Sequence, residues 1–171
     1  MARSEVEVAQ RPSLAELYER TAPGAVRLAY LLTGDRSVAE DITQDAFVRV
    51  SGRLAHLRNG RAFDAYLRRA VVNLAKNHFR RRSVERAFLE RSNPAPSIAG
   101  HEHPLVEREA TMAALAKLPA RQRAAIVLRF YEDLSEDSIA GILRCRNGTV
   151  RSLVTRGVQT LRAEMERFAD A

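Results

Sequence analysis

Four polar residues, Ser152, Thr155, Arg156 and Gln159, are spaced i, i+3, i+4 and i+7. At about 100° per residue they share one face of a helix, opposite Val150, Val154 and Leu161. Hydroxyls, an amide and a guanidinium are the groups that bond phosphate oxygens and base edges in a major groove. From Gly141 to Arg162 there are five arginines and no acidic residue, so the segment carries a field suited to a polyanion. A second stripe, Arg69, Asn73, Lys76 and Arg80, suits a helix laid along a nucleic-acid backbone, with the cations on phosphates and the asparagine free for a base. A third set has the opposite sign. Asp41, Gln44, Asp45 and Val48 line one helix face, and four acidic residues stand against one basic between Asp35 and Asp45. An acidic face on a basic chain calls for a partner other than DNA; a solvated helix face is the bland alternative for each set.

No pattern for catalysis is found. The chain offers no nucleophile-base pair, no phosphate-cradling glycine loop and no cluster of metal ligands, so neither a cofactor nor a metal is expected. His101 and His103 form an HxH pair that would need further ligands, and Cys145 lies far from it in sequence. His78 falls on an apolar helix side, where packing is the simpler role.

The elements that must position these residues follow from caps and periodicity. Pro119 suits a first helical position, and Ile126, Val127 and Phe130 give an apolar side to a helix ending near Tyr131. Asp133-Leu134 breaks it. Ser135 caps a short helix whose first turn holds Glu136 and Asp137 and whose core face is Ile139, Ile142 and Leu143. Arg144-Cys145-Arg146 reads as a turn, Asn147 as the next cap, and a helix follows from about Gly148 toward Phe168. The ensemble reads as a helix-turn-helix.

Upstream, Met1 to Pro12 lacks periodicity and reads as a frayed tail. Ser13 to Glu16 is a capping box, and Pro23-Gly24 is expected to break or kink the helix it opens. Thr33-Gly34-Asp35 is a turn, and Ser37 to Glu40 reads as a second capping box, opening a helix with Ile42, Ala46 and Val50 on its core face. Asn59-Gly60 marks a loop between Ser51 and Asp64. A helix from about Asp64 to Arg82 turns Leu67, Val71, Leu74 and His78 inward, behind the basic stripe. Ser92 to Ser97 begins a proline-rich linker, and Glu107 to Lys117 resumes helix with Ala113, Ala114 and Leu115.

Composition bounds the class. In 171 residues, 46% are hydrophobic but only 6% aromatic, with no Trp, which suits helices packed through Leu, Val and Ala rather than a β-sandwich. The expectation is an all-α chain of two small helical domains joined by an extended linker. A formal charge of +7 and a pI near 10.4 favour nucleic acid as partner, and no apolar span or lipidation signal favours a membrane. One cysteine cannot form an internal disulfide, and with no signal peptide the expected location is the cytoplasm.

The segment LPARQRAAIVLRFYEDLSEDSIAGILRCRNGTVRS resembles region four of bacterial sigma factors, with its Leu-Pro-x-x-Gln-Arg opening and Gly-Thr-Val start of the recognition helix. RLAYLLTGDRSVAEDITQDAFVRV and AYLRRAVVNLAKNHFRRR resemble region two. With nothing like region three between them, the chain is similar to extracytoplasmic-function sigma factors, closest to the actinobacterial SigE-like subgroup with its Tyr-Leu-Leu-Thr-Gly-Asp signature. The resemblance divides the chain into a tail (1–12), region two (13–91), a linker (92–106) and region four (107–171).

The resemblance implies a subunit that binds core RNA polymerase at the β′ coiled coil and β flap and directs it to promoter DNA at the nucleoid. An anti-sigma protein is a further partner that the family allows. Asp41, Gln44, Asp45 and Val48 would meet polymerase. Arg69, Asn73, Lys76 and Arg80 would act at the minus-ten element, where a family loop captures a flipped base and where His56, Arg58 and Asn59 all offer suitable groups. Thr149, Arg151, Ser152, Thr155, Arg156 and Gln159 would read the minus-thirty-five element. Three departures stand out: Arg144-Cys145-Arg146 replaces Gly-Cys-Ser in the turn, Leu153 stands where a basic residue is common, and Gly157 stands where alanine is common, at about 1 kcal/mol of helix propensity. Two other classes remain. A stand-alone dimeric repressor or activator would need a dimerising face, and a nucleic-acid enzyme with a helix-turn-helix anchor would need clustered carboxylates or a metal.

Overall fold

The computed structural model describes residues 12–52, 60–89 and 106–169; among them every regular element is helical and no strand occurs. The helices are α1 (Leu14–Thr33), α2 (Arg36–Ser51), α3 (Gly60–Leu89), α4 (Val106–Lys117), α5 (Ala120–Ile126), α6 (Glu136–Leu143) and α7 (Asn147–Ala169). A π-helical turn, Val127–Tyr131, continues α5.

The helices pack in two groups. In the first, α1, α2 and α3 pack pairwise around Leu28, Ala29, Ile42, Ala46, Phe63, Leu67 and Val71. Each large apolar side chain removed from water contributes roughly 1.5–3 kcal/mol, which is what holds three otherwise marginal helices. Phe47 of α2 bridges outward and inward, its ring 4.8 Å from Tyr18 and 5.9 Å from Phe63. In the second group, α4 to α7 surround Leu118, Ala125, Leu128, Ile139 and Val150.

Local chemistry sets the ends. Ser13 accepts from the Glu16 amide at 3.2 Å while the Glu16 carboxylate takes the Ser13 N–H at 2.7 Å, the expected reciprocal box. The Ser13 N–H and the Ser13 hydroxyl, which donates at 2.9 Å, both favour the ionised form and hold the Glu16 carboxyl below its usual range. Pro23 does not break α1, which runs through it as one helix. Pro23 is exposed, so the carbonyl it leaves without a partner is on the water side, while Ala22, Ala25 and Leu28 pack the other side. Gly34, at φ 75°, ends α1 and donates its N–H to the Tyr30 carbonyl at 2.7 Å.

The second capping box does not form. Asp35 comes first: its carboxylate accepts from the Val38 amide at 3.1 Å, α2 begins at Arg36, and Ser37 lies inside the helix. Glu40, free of a capping role, pairs with Arg36 at 3.0 Å. Phe130 is not on the apolar side either; it is 65% exposed. The π turn is the reason, because its wider ring, closed by the Glu132 N–H on the Val127 carbonyl at 3.1 Å, inserts a residue and shifts everything after Leu128 around the axis.

The two groups also pack on each other, through α1 and α3 against α4, α5 and the π turn, so the buried apolar residues form one continuous cluster. The two helical groups therefore share one core rather than each closing its own. Val72 and Ala75, both 2% exposed, are buried beside the expected α3 core positions.

Candidate nucleic-acid interface

Ser135 caps α6 by accepting the Ser138 amide at 3.3 Å, and Ile139, Ile142 and Leu143 are buried as their spacing required. Arg144 then takes the left-handed conformation, φ 51° and ψ 58°, that glycine would adopt at little cost. A non-glycine residue there costs about 1 kcal/mol or more, so the Arg144-Cys145-Arg146 turn keeps the helix-turn-helix shape under strain. Asn147 is not the cap. The Arg146 carbonyl accepts from Thr149 and Val150, which places Asn147 in the first turn of α7, and the Asn147 amide reaches back to the Asp137 carboxylate of α6.

Val150 is fully buried and Val154, Val158 and Leu161 are half-buried, which seats α7 on α4, α5 and α6. Thr149, Arg151, Ser152, Thr155, Arg156 and Gln159 are all exposed along its outer side. The Ser152 hydroxyl donates to the Gly148 carbonyl at 3.0 Å, and Arg151 Nε donates to Glu136 Oε2 at 2.7 Å. Leu153 leaves the outer face altogether and packs against the core. Gly157 is buried under Ile126: a Cβ built on it would sit 2.6 Å from Ile126 Cγ1, so close helix approach accounts for glycine here.

The α3 stripe is less uniform. Lys76 and Arg80 are exposed, whereas Arg69 and Asn73 are half-buried. Asn73 and Lys76 border a narrow cleft between the helix groups, facing Ala120, Arg121 and Arg144. His78 is half-buried with its ring edge-on to Phe79 at 5.9 Å, in keeping with packing rather than ligation.

Sequence reasoning missed what holds that cleft. Arg123 is 7% exposed, and its guanidinium donates to the carbonyls of Leu32 and Ala116 at 2.8 Å and of Leu118 at 3.3 Å. It also lies 5.2 Å over the Phe79 ring. Burial lowers its pKa, yet an arginine remains charged at neutral pH. Arg68 of α3 and Glu132 after the π turn form a second bridge between the groups. Arg123 stands in the Leu-Pro-x-x-Gln-Arg opening, but no local periodicity tells that its partner is Leu32, 91 residues away.

On α2, Asp41, Gln44, Asp45 and Val48 are all exposed, Val48 to 72%, and neither aspartate makes an ion pair among the described residues. His56, Arg58 and Asn59 lie outside the described residues, as do His101 and His103 and the linker up to residue 105. No group of three metal-binding side chains occurs among the described residues, and no described helix is long and apolar enough to cross a membrane.

Residues 17–85 match the family model for sigma-70 region 2, and residues 108–161 match that for sigma-70 region 4. The RNA polymerase sigma-E factor of Streptomyces avermitilis is 35% identical over 152 residues, covering 88% of this chain and 84% of that one. The ECF RNA polymerase sigma-E factor of Escherichia coli K12 is 30% identical over 145 residues, 77% of this chain and 74% of its own. Among solved structures, the sigma factor RpoE bound to the anti-sigma factor NepR from Bartonella quintana shares the fold, with a TM-score of 0.72, 24% identity and coverage of 87% of this chain and 94% of that one.

Proposed function

Since the chain belongs to the extracytoplasmic-function branch of the sigma-70 family and serves promoter-specific transcription initiation, we propose that its three polar faces divide that work. Residues 13–91 form the module for polymerase and the minus-ten element, residues 107–171 the module for the minus-thirty-five element, and 92–106 the linker. The exposed α2 face of Asp41, Gln44, Asp45 and Val48 docks on core RNA polymerase. Arg69, Asn73, Lys76 and Arg80, with the 56–59 loop, meet the minus-ten strand. Thr149, Arg151, Ser152, Thr155, Arg156 and Gln159 enter the minus-thirty-five major groove. The factor acts without catalysis of its own, at the nucleoid. An anti-sigma protein, the kind of partner bound by the Bartonella quintana relative, completes the set.

One observation carries the reading: the outer side of α7 is exposed along its length and rich in groups for phosphates and base edges, while its inner side is seated on α5 and α6. Adding the purified chain to bacterial core polymerase and sequencing the transcripts tests it, since a stand-alone regulator would bind duplex operators without polymerase and start none. Asp41→Arg with Asp45→Arg should abolish co-purification with core polymerase while circular dichroism stays unchanged; undiminished binding removes α2 from the docking face.

A further inference from the structure

The first turn of α6 places two carboxylates, Glu136 and Asp137, beside the face that the proposed function sets against DNA. Unpaired, both would repel phosphates. Neither is unpaired: the Asn147 amide donates to Asp137, and Arg151 Nε donates to Glu136 Oε2 at 2.7 Å. Both bonds cross from α6 to the start of α7. Both partners of the second bond are open to solvent, the Arg151 side chain to 70% and the Glu136 side chain to 38%, so the pair contributes little to folding. Its consequence is geometric. Arginine carries five N–H donors in a rigid fork, and engaging Nε leaves the terminal Nη1 and Nη2 groups free. That terminal pair is what a guanine edge, with O6 and N7 as acceptors, takes in bidentate fashion. Without Glu136 that restraint is lost, and a phosphate, whose contact carries no sequence information, competes for the guanidinium.

We propose that Glu136 is the positioning residue for Arg151: it holds the guanidinium away from the phosphates and presents its terminal nitrogens to one guanine of the minus-thirty-five duplex, so that the Glu136–Arg151 pair sets the preference at that base pair. This rests on the assignment of α7 to the minus-thirty-five element.

The test is selection from a promoter library by holoenzyme carrying wild type, Arg151→Ala, Glu136→Ala, Glu136→Gln or both alanines, with salt-dependent binding to selected and scrambled duplexes. Arg151→Ala should erase the guanine preference at one position. Glu136→Ala should weaken it at the same position, by about tenfold, yet bind scrambled duplex more tightly and with a salt slope steeper by about one unit, because Arg151 gains a phosphate. Glu136→Gln, which keeps an acceptor oxygen, should retain most of the preference, and the double variant should match Arg151→Ala. A purely structural Glu136 would instead weaken every sequence alike, and that result, or an unchanged preference in Glu136→Ala while Arg151→Ala loses it, overturns the positioning role and leaves the assignment of α7 standing. If Arg151→Ala shifts no position of the minus-thirty-five element, the Arg151 assignment falls, and the pair with it.

Discussion

The outer side of α7 and the polar stripe of α3 carry similar chemistry, cations with an amide among them and, on α7, hydroxyls as well, but the molecule treats them differently. Every α7 residue assigned to DNA is exposed, and the acids of α6 tie down the first two turns. On α3, Arg69 and Asn73 are half-buried, and Asn73 and Lys76 border the cleft where the second helix group packs. The α7 face is open to solvent as it stands. On the other, Lys76 and Arg80 are open while Asn73 borders the seam between the groups, which Arg123 on the Leu32 carbonyl and the Arg68–Glu132 bridge hold closed.

Removing Arg123 is the harshest way to break that contrast. Arg123→Ala strips hydrogen bonds from the carbonyls of Leu32, Ala116 and Leu118, and since charged hydrogen bonds contribute about 1.5–3 kcal/mol each with buried carbonyls left unpaired, a loss of roughly 3 kcal/mol is expected in urea unfolding. The folded free chain should then bind a minus-ten single strand more tightly, with duplex binding through α7 unchanged. A variant of wild-type stability would show that the buried guanidinium does not hold the groups together.

Gly157 sharpens the comparison from the α7 side. Helix propensity alone predicts that Gly157→Ala stabilises by about 1 kcal/mol, but a Cβ 2.6 Å from Ile126 Cγ1 must push α7 from α5, an overpacking cost of about 1–3 kcal/mol. The expected net result is a lower unfolding midpoint, with Gly157→Ala costing less in an Ile126→Ala background, where the clashing Cγ1 is gone. A higher midpoint for Gly157→Ala alone would mean that the two helices have room to spare.

What the sequence made legible and what it hid have the same physical origin. The α7 face, the α2 face and the α6 core positions are consequences of helical period, and the amino-acid order states them directly: Val150 and Ile139 fully buried, Asp41 and Thr155 exposed. Caps compete locally, so Asp35 displaced Ser37 once Gly34 had ended α1. The π turn that turned Phe130 outward has no periodic signature. Long-range packing leaves no local pattern at all, which is why Arg123, Glu132 and the half-burial of Asn73 were illegible. The candidate faces are therefore readable from helical period, whereas their exposure depends on packing across most of the chain.

The most direct measurement is a promoter-library selection with holoenzyme in which α3 and α7 are altered separately, Lys76→Ala with Arg80→Ala against Ser152→Ala with Arg156→Ala. The α3 pair should weaken minus-ten binding and flatten its salt slope by about one unit for each phosphate no longer neutralised, with the minus-thirty-five preference intact. The α7 pair should change minus-thirty-five recognition and leave the minus-ten element alone. Variants that affect both elements equally, or neither, would contradict the division of the two faces between the two promoter elements.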